Sequence, residues 1–296
     1  MEGEKMLAKR VARAACAALL LLSTLPARAQ EAPKDVDLGA LAKQIGGTSG
    51  SVEERTRRLV RWINTNFEWS YTDYQKRTVQ EIVQRRAGNC AELATILYAM
   101  LDAAGLRARW IAEINVQPRD ERRQATAAEK VAESGNRMSV FGLRHNDHRW
   151  LEVYDDATNT WFPADPAVGV VGMDEWIAAR MKFGERSVSP VPAIAETSRE
   201  MLVPFVVVAV ESRGGRPVED RTRHYVVDAF DAFYRGGLHD LPAWREWVRD
   251  VERLSPLAAG AFAGDVNLHQ HADLIETVAR DYDRLRGDAS RHKIAW

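Results

Sequence analysis

Between residues 51 and 105 apolar positions recur at helical spacing in three successive segments, each opened by a polar capping residue. Ser51 and Glu54 form an S-x-x-E capping box, and Leu59, Trp62, Ile63 and Phe67 follow on one face, which predicts an amphipathic helix over 52–66. Thr78 and Glu81 repeat the box ahead of Ile82 and Val83, predicting a short helix that ends at Arg86, with Gly88 as its stop. Asn89 then caps a third helix, Glu92 answers back to the cap, and Leu93, Ile96, Leu97, Met100 and Leu101 make a buried stripe that stops at Gly105.

The period then changes from helix to strand. Leu106, Ala108, Trp110, Ala112, Ile114 and Val116 alternate with Arg107, Arg109, Glu113 and Asn115, the pattern of a half-buried strand. Residues 118–146 break the alternation; their charged, Ala-rich middle, Glu121 to Glu133, suits either an insertion or lid or a solvated connection. His148 to Tyr154 and Thr160 to Ala164 flank the turn-rich Asp155-Asp156-Ala157-Thr158-Asn159 and predict a hairpin. If Tyr154 pairs near Trp161, Asp165 falls within a residue or two of the position facing His148.

Beyond Val171 the pattern becomes mainly helical. Helices are expected over 173–183, 224–235, 240–254 and 272–286, with Ser255-Pro256 breaking the third, and Val203 to Val210 reads as a buried or edge strand. Residues 31–50, with Pro33, Gly39, Gly46, Gly47 and Gly50, read as a weakly structured arm. The organisation expected is therefore an arm over 30–50, a catalytic domain over 51–189 and a mainly helical extension over 190–296.

The first 29 residues stand apart from all of this. Lys5, Lys9, Arg10 and Arg13 precede an apolar run from Ala14 to Leu25 and an Ala27-Arg28-Ala29 cleavage signal, so a signal peptide is expected, with the mature chain starting near Gln30 in the periplasm or outside the cell. That run is too short to favour a stable membrane span. Discounting five of the 41 Lys and Arg and two of the 42 Asp and Glu leaves a formal charge of −4, which argues against nucleic acid and anionic membranes as main partners. Hydrophobic content of 46% with nine tryptophans fits a packed core rather than disorder.

Export also changes the meaning of the cysteines. With Cys16 in the signal, Cys90 has no partner for a disulfide and is either an inert core residue or a group kept for its chemistry. A lone cysteine is more often the former. Cys90, however, opens a capped helix, where unpaired backbone N–H groups and the helix dipole favour thiolate over thiol. His148 can supply a base, and Asp165 a carboxylate to orient it. His145 stands three residues before His148, a spacing compatible with a metal, but no further Cys or His cluster supports one. No cofactor is expected, and no EF-hand-like acidic loop suggests calcium.

Several separated motifs fall in one order: Gly88-Asn89-Cys90 at a helix start, Gly105 to Trp110 entering a strand, His148-Arg149-Trp150-Leu151-Glu152-Val153-Tyr154, and Trp161-Phe162-Pro163-Ala164-Asp165-Pro166. Over roughly residues 51–170 this order resembles the transglutaminase-like core of the papain-like cysteine-enzyme superfamily, as in exported bacterial members. The resemblance implies an α+β fold with N-terminal helices packed on an antiparallel sheet, Cys90 as nucleophile, His148 as general base and acid, and Asp165 as the orienting acid. It also implies an oxyanion site completed by a residue upstream of the nucleophile, for which Trp69 and Tyr71 both stay open. The implied activity is acyl transfer from a protein or peptide amide through a thioester. Hydrolysis by a peptidase or amidase, or a binding module with a vestigial triad, are the alternatives. Asn89 stands where many relatives carry an acidic residue, and the insertion before His148 departs from the compact pattern. The sequence assigns no natural substrate and no oligomeric state.

Overall fold

The computed structural model describes residues 36–73, 75–115, 146–199, 202–263, 265–266 and 268–294, together with Glu129 and Glu133. The expected signal peptide, most of the 118–146 insertion and His145 lie outside the described residues.

The chain opens with helix α1, Leu38–Gly46, where a weakly structured arm was expected. Asp37 caps it by accepting from the Ala40 N–H at 2.9 Å, and Ala42 and Gly46 are buried. Two glycines at its ends misled the sequence reading, because tertiary packing outweighs a weak local propensity. Helix α2, Val52–Asn66, carries the predicted capping box, with Leu59, Val60 and Ile63 buried. Strand β1, Glu68–Trp69, follows, then α3, Val79–Arg85, whose Thr78–Glu81 box is also present. Arg86, at φ +51°, ends α3 in the left-handed region two residues before the expected glycine stop. Strand β2, Ala87–Gly88, pairs parallel with β1 and leads directly into α4, Cys90–Ala103.

The main sheet is antiparallel, with strands in the order β6-β5-β4-β3-β7-β8. They are β3 Ala108–Asn115, β4 Asn146–Asp155, β5 Thr160–Asp165, β6 Val170–Val171, β7 Pro204–Val210 and β8 Pro217–Asp220. The hairpin register places Tyr154 opposite Trp161 and Leu151 opposite Ala164. Extrapolated, Asp165 faces Trp150, and His148 is its diagonal neighbour two residues on.

Consecutive residues Ile111 to Asn115 are all buried, so β3 is covered on both faces rather than half-buried. The alternation of Arg109, Glu113 and Asn115 with apolar residues is real, but the polar face lies under other elements instead of water. Every residue of β7 is buried as well, and this strand pairs with β3 along Trp110 to Asn115. The sheet thus draws strands from both sides of position 190.

Helix α5, Met173–Arg180, and the short α6, Pro192–Ala195, connect β6 to β7. A π-helical turn at His224–Ala229 runs into α7, Phe230–Phe233. Helix α8, Trp244–Ala263, passes through Pro256 instead of ending there, and a 3-10 turn leads to α9, Ala272–Arg291. Pro256 is tolerated because its neighbours are anchored. Leu254 and Ala258 are buried, and the Ser255 hydroxyl donates to Asp220 Oδ2 at 2.9 Å. No helix among the described residues is long and apolar enough to cross a membrane.

Candidate active site

Cys90 is the first residue of α4. Asn89 Oδ1 accepts from the Glu92 N–H, and Glu92 Oε2 accepts from the Asn89 N–H, both at 3.1 Å. The turn into this helix is tight. A Cβ on Gly88 would stand 3.0 Å from the Glu92 Cβ and 3.3 Å from Leu93 Cδ2, so a larger residue there would have to push the start of the helix back by a few tenths of an ångström. Glu92 is 3% exposed and does more than cap. It also accepts from Arg77 at 2.8 Å and from Arg85 at 3.4 Å, and Arg77 in turn makes a two-pronged contact with Asp73. The loop before α3, the end of α3 and the start of α4 are thereby tied to one buried carboxylate. Cys90 itself is half-buried and free.

His148 lies on β4 and Asp165 ends β5, and the two meet. His148 Nε2 stands 2.7 Å from Asp165 Oδ2, with the carboxylate fully buried. The other oxygen, Oδ1, accepts from the Ala167 and Val168 N–H groups at 3.0 and 3.3 Å, which fixes the plane of the carboxylate. Nε2 is thus occupied by the carboxylate, and the Cys90 side chain lies near enough to act electrostatically on the same imidazole. Trp150 stacks on the imidazole at 5.7 Å between ring centres and packs in turn on Trp176 and Tyr225.

The electrostatics follow from this placement. Burial alone lowers His148, but the charges of Asp165 and Cys90, and the hydrogen bonds to both, outweigh it and lift the group from 6.5 to about 10. An imidazolium facing a sulfur at a helix N-terminus is the setting that stabilises a thiolate near neutral pH.

The upstream aromatics occupy different positions. Trp69 pairs with Gly88, two residues before the cysteine, and the Ser70 N–H donates to the Gly88 carbonyl at 2.9 Å. Tyr71 lies edge-on to Trp69, 4.6 Å between ring centres, and is 73% exposed. Among the described residues no three His, Cys, Asp or Glu side chains gather as a metal site.

Two buried residues that the sequence reading did not single out stand behind Asp165. Glu113 on β3 is the cross-strand partner of His148, and it is ion-paired with Arg180 at the end of α5. Arg180 NH1 lies 4.0 Å from Asp165 Oδ2. A charged residue within an otherwise apolar stretch of strand was the one available signal for Glu113. Nothing in the local sequence distinguishes Arg180 from a solvated residue at a helix end.

Residues 39–166 match the family model described as Transglutaminase-like superfamily. Over that span, somewhat under half of its length, the chain is similar to the transglutaminase-like superfamily. The match takes in nearly all of α1, the three capped helices α2, α3 and α4, and strands β3, β4 and β5, and therefore Cys90, His148 and Asp165 together. No curated protein matches the sequence. Similar solved structures include a candidate cysteine protease from Cytophaga hutchinsonii, 18% identical with a TM-score of 0.33, over 50% of this chain and 43% of that one. A candidate protease from Parabacteroides distasonis is 13% identical with a TM-score of 0.33, over 63% of this chain and 28% of the other. Rad4-Rad23 bound to a 6-4 photoproduct UV lesion is 13% identical with a TM-score of 0.35, over 86% and 55%. The chain spans less than half the length of the first two, and likenesses at this level say nothing about its activity.

Proposed function

We propose that this transglutaminase-like protein is an exported cysteine enzyme that moves the acyl group of a peptide or protein amide onto an amine or water through a thioester on Cys90. The observation that carries the reading is the His148 imidazole, held by a buried Asp165 at 2.7 Å on one nitrogen and coupled electrostatically to Cys90. The thiolate attacks the amide carbonyl carbon, and the C=O electron pair moves onto oxygen. The oxyanion is met by the Cys90 backbone N–H and, by its pairing beside Gly88, by Trp69 in preference to Tyr71. Collapse re-forms the C=O bond and breaks the C–N bond, and the departing amine or ammonia takes its proton from His148. The incoming amine or water then gives a proton back to His148 as it attacks the thioester, and Cys90 leaves as thiolate. Asp165 keeps one tautomer and one ring orientation throughout.

The test is to incubate the protein with Gln-containing peptides and quench in acid for mass spectrometry. An acyl adduct on Cys90, absent in Cys90→Ala and His148→Ala, is expected. Adding a primary amine then reads the acceptor, since amine in the product marks cross-linking and free acid marks hydrolysis. Absence of any adduct across a panel of amide and peptide substrates, with Cys90 labelling like an ordinary thiol, would overturn the enzymatic reading. Export is tested by the amino terminus of the protein recovered outside the cytoplasm, expected near Gln30.

A further inference from the structure

Arg180 and Glu113 form an ion pair with 1% and 0% of their side chains exposed. Arg180 is held further by donating from Nε to the Leu202 carbonyl at 3.0 Å. Buried pairs of this kind are poor sources of stability, because removing two charges from water costs about as much as their attraction returns, and apolar residues of equal volume serve as well or better. The location of this pair is what gives it a use. Glu113 stands directly across from His148 in the β3–β4 register, and Arg180 reaches to 4.0 Å from the same Asp165 oxygen that binds the imidazole. From Glu113 inward the side chains therefore alternate in sign, carboxylate, guanidinium, carboxylate and imidazolium, and end at the Cys90 sulfur.

We propose that Arg180, pinned by Glu113, is a positioning residue for the Cys90–His148–Asp165 site, holding Asp165 in place and limiting how firmly the imidazole keeps its proton. This inference rests on the reading of that site as a thiolate–imidazolium pair. An unopposed Asp165, with Glu113 also facing the ring, would bind the imidazolium proton too tightly for it to pass to a leaving amine. Burial lowers the guanidinium, but the two buried carboxylates within its reach, Glu113 and Asp165, oppose that fall and keep Arg180 charged at neutral pH, where it supplies the opposing charge. The groups facing it come from every neighbouring element: Glu113 on β3, His148 on β4, Asp165 on β5, Cys90 on α4 and Arg199 ahead of β7. Arg199 is itself engaged, donating to the Ala179 carbonyl at 2.6 Å, and adds positive charge to the same side.

The test follows the His148 ring resonances against pH in the full-length protein and in variants that change one charge at nearly constant shape. Arg180→Gln removes a repelling charge and should displace the His148 titration upward, while Glu113→Gln removes an attracting one and should displace it downward, each by about one pH unit or more. The double variant should return close to the wild-type position. Opposite displacements from two touching residues are an electrostatic signature, which loosened packing does not produce. If Arg180→Gln does not fold, the downward displacement in Glu113→Gln and its reversal in the double variant carry the test. Displacements in the same direction, or none, overturn the role of Arg180. Alkylation of Cys90 in the same samples separates the two readings. A wild-type His148 whose titration is indifferent to whether Cys90 is blocked refutes the thiolate–imidazolium pair itself, whatever the two charge variants do.

Discussion

Replacing Asp165 by asparagine keeps the shape of the hairpin end and removes one charge. With Nε2 and Oδ2 2.7 Å apart, the centres of the imidazolium and carboxylate charges lie about 4 Å from each other, worth about 4 kcal/mol at an effective dielectric of about 20. At about 1.4 kcal/mol per pH unit that is about three units, the upward pull that, against burial and together with Cys90, carries His148 from 6.5 to about 10. In Asp165→Asn burial is left opposed mainly by Cys90, and the His148 titration should fall by about three pH units. The assay is the rate of iodoacetamide modification of Cys90 from pH 4 to pH 11, followed by intact mass. Wild type should label rapidly at neutral pH and hold a plateau until the imidazolium deprotonates near pH 10. The variant should label about tenfold or more slowly at pH 7, rising only toward the pKa of an ordinary thiol, about 8.5. Stability carries the same information with a definite sign. A folded-state value raised above 6.5 contributes stability that is fully present below that pH and is lost as pH climbs through about 10. The wild-type urea midpoint should therefore decline across that window, and the Asp165→Asn midpoint should decline much less. Superimposable labelling profiles for the two proteins would refute the reasoning.

Three further perturbations test the scaffold. Glu92→Ala removes bonds to Arg77, to Arg85 and to the Asn89 N–H at the start of the cysteine helix, and should cost about 2–4 kcal/mol in urea unfolding; a loss under about 1 kcal/mol would mean that Asp73 alone satisfies the two arginines. Trp150→Ala removes a fully buried ring that stacks on His148 and packs against Trp176 and Tyr225, and should cost about 3–5 kcal/mol by the same measurement. Pro256→Ala restores a hydrogen-bond donor inside α8 and should raise stability by about 1–3 kcal/mol; no gain would show that the helix is already bent to accommodate the ring.

The parts of the fold legible in the sequence are those set by neighbours close along the chain. Three capping boxes and their apolar stripes fix α2, α3 and α4 to within a residue, because a cap is a contact between residues three apart. The β4–β5 register was likewise readable, since a short hairpin turn leaves few alternatives. What remained hidden depends on partners far away in sequence. Glu113 and Asn115 look like the wet side of a strand until helices and loops from the second half of the chain cover them. Residues 38–46 look too rich in glycine for a helix until α4 and α2 offer surfaces to pack on. Pro256 looks like a terminator until Leu254, Ser255 and Ala258 are seen to be anchored. At the candidate site the residue types were legible, while the ion pair behind Asp165 was not, since it joins positions 67 apart.

Strand β7 lies beside β3, inside the sheet that presents His148, although it is encoded after every member of the candidate triad. Losing it would strip β3 of a hydrogen-bonded neighbour and present a bare Val/Ile-rich edge to other chains. A nonsense mutation just past codon 189 would therefore leave Cys90, His148 and Asp165 all translated and yield an insoluble product. A newly made chain still short of β7 on the ribosome is in the same condition, and the site can mature only when the strand emerges to close the sheet.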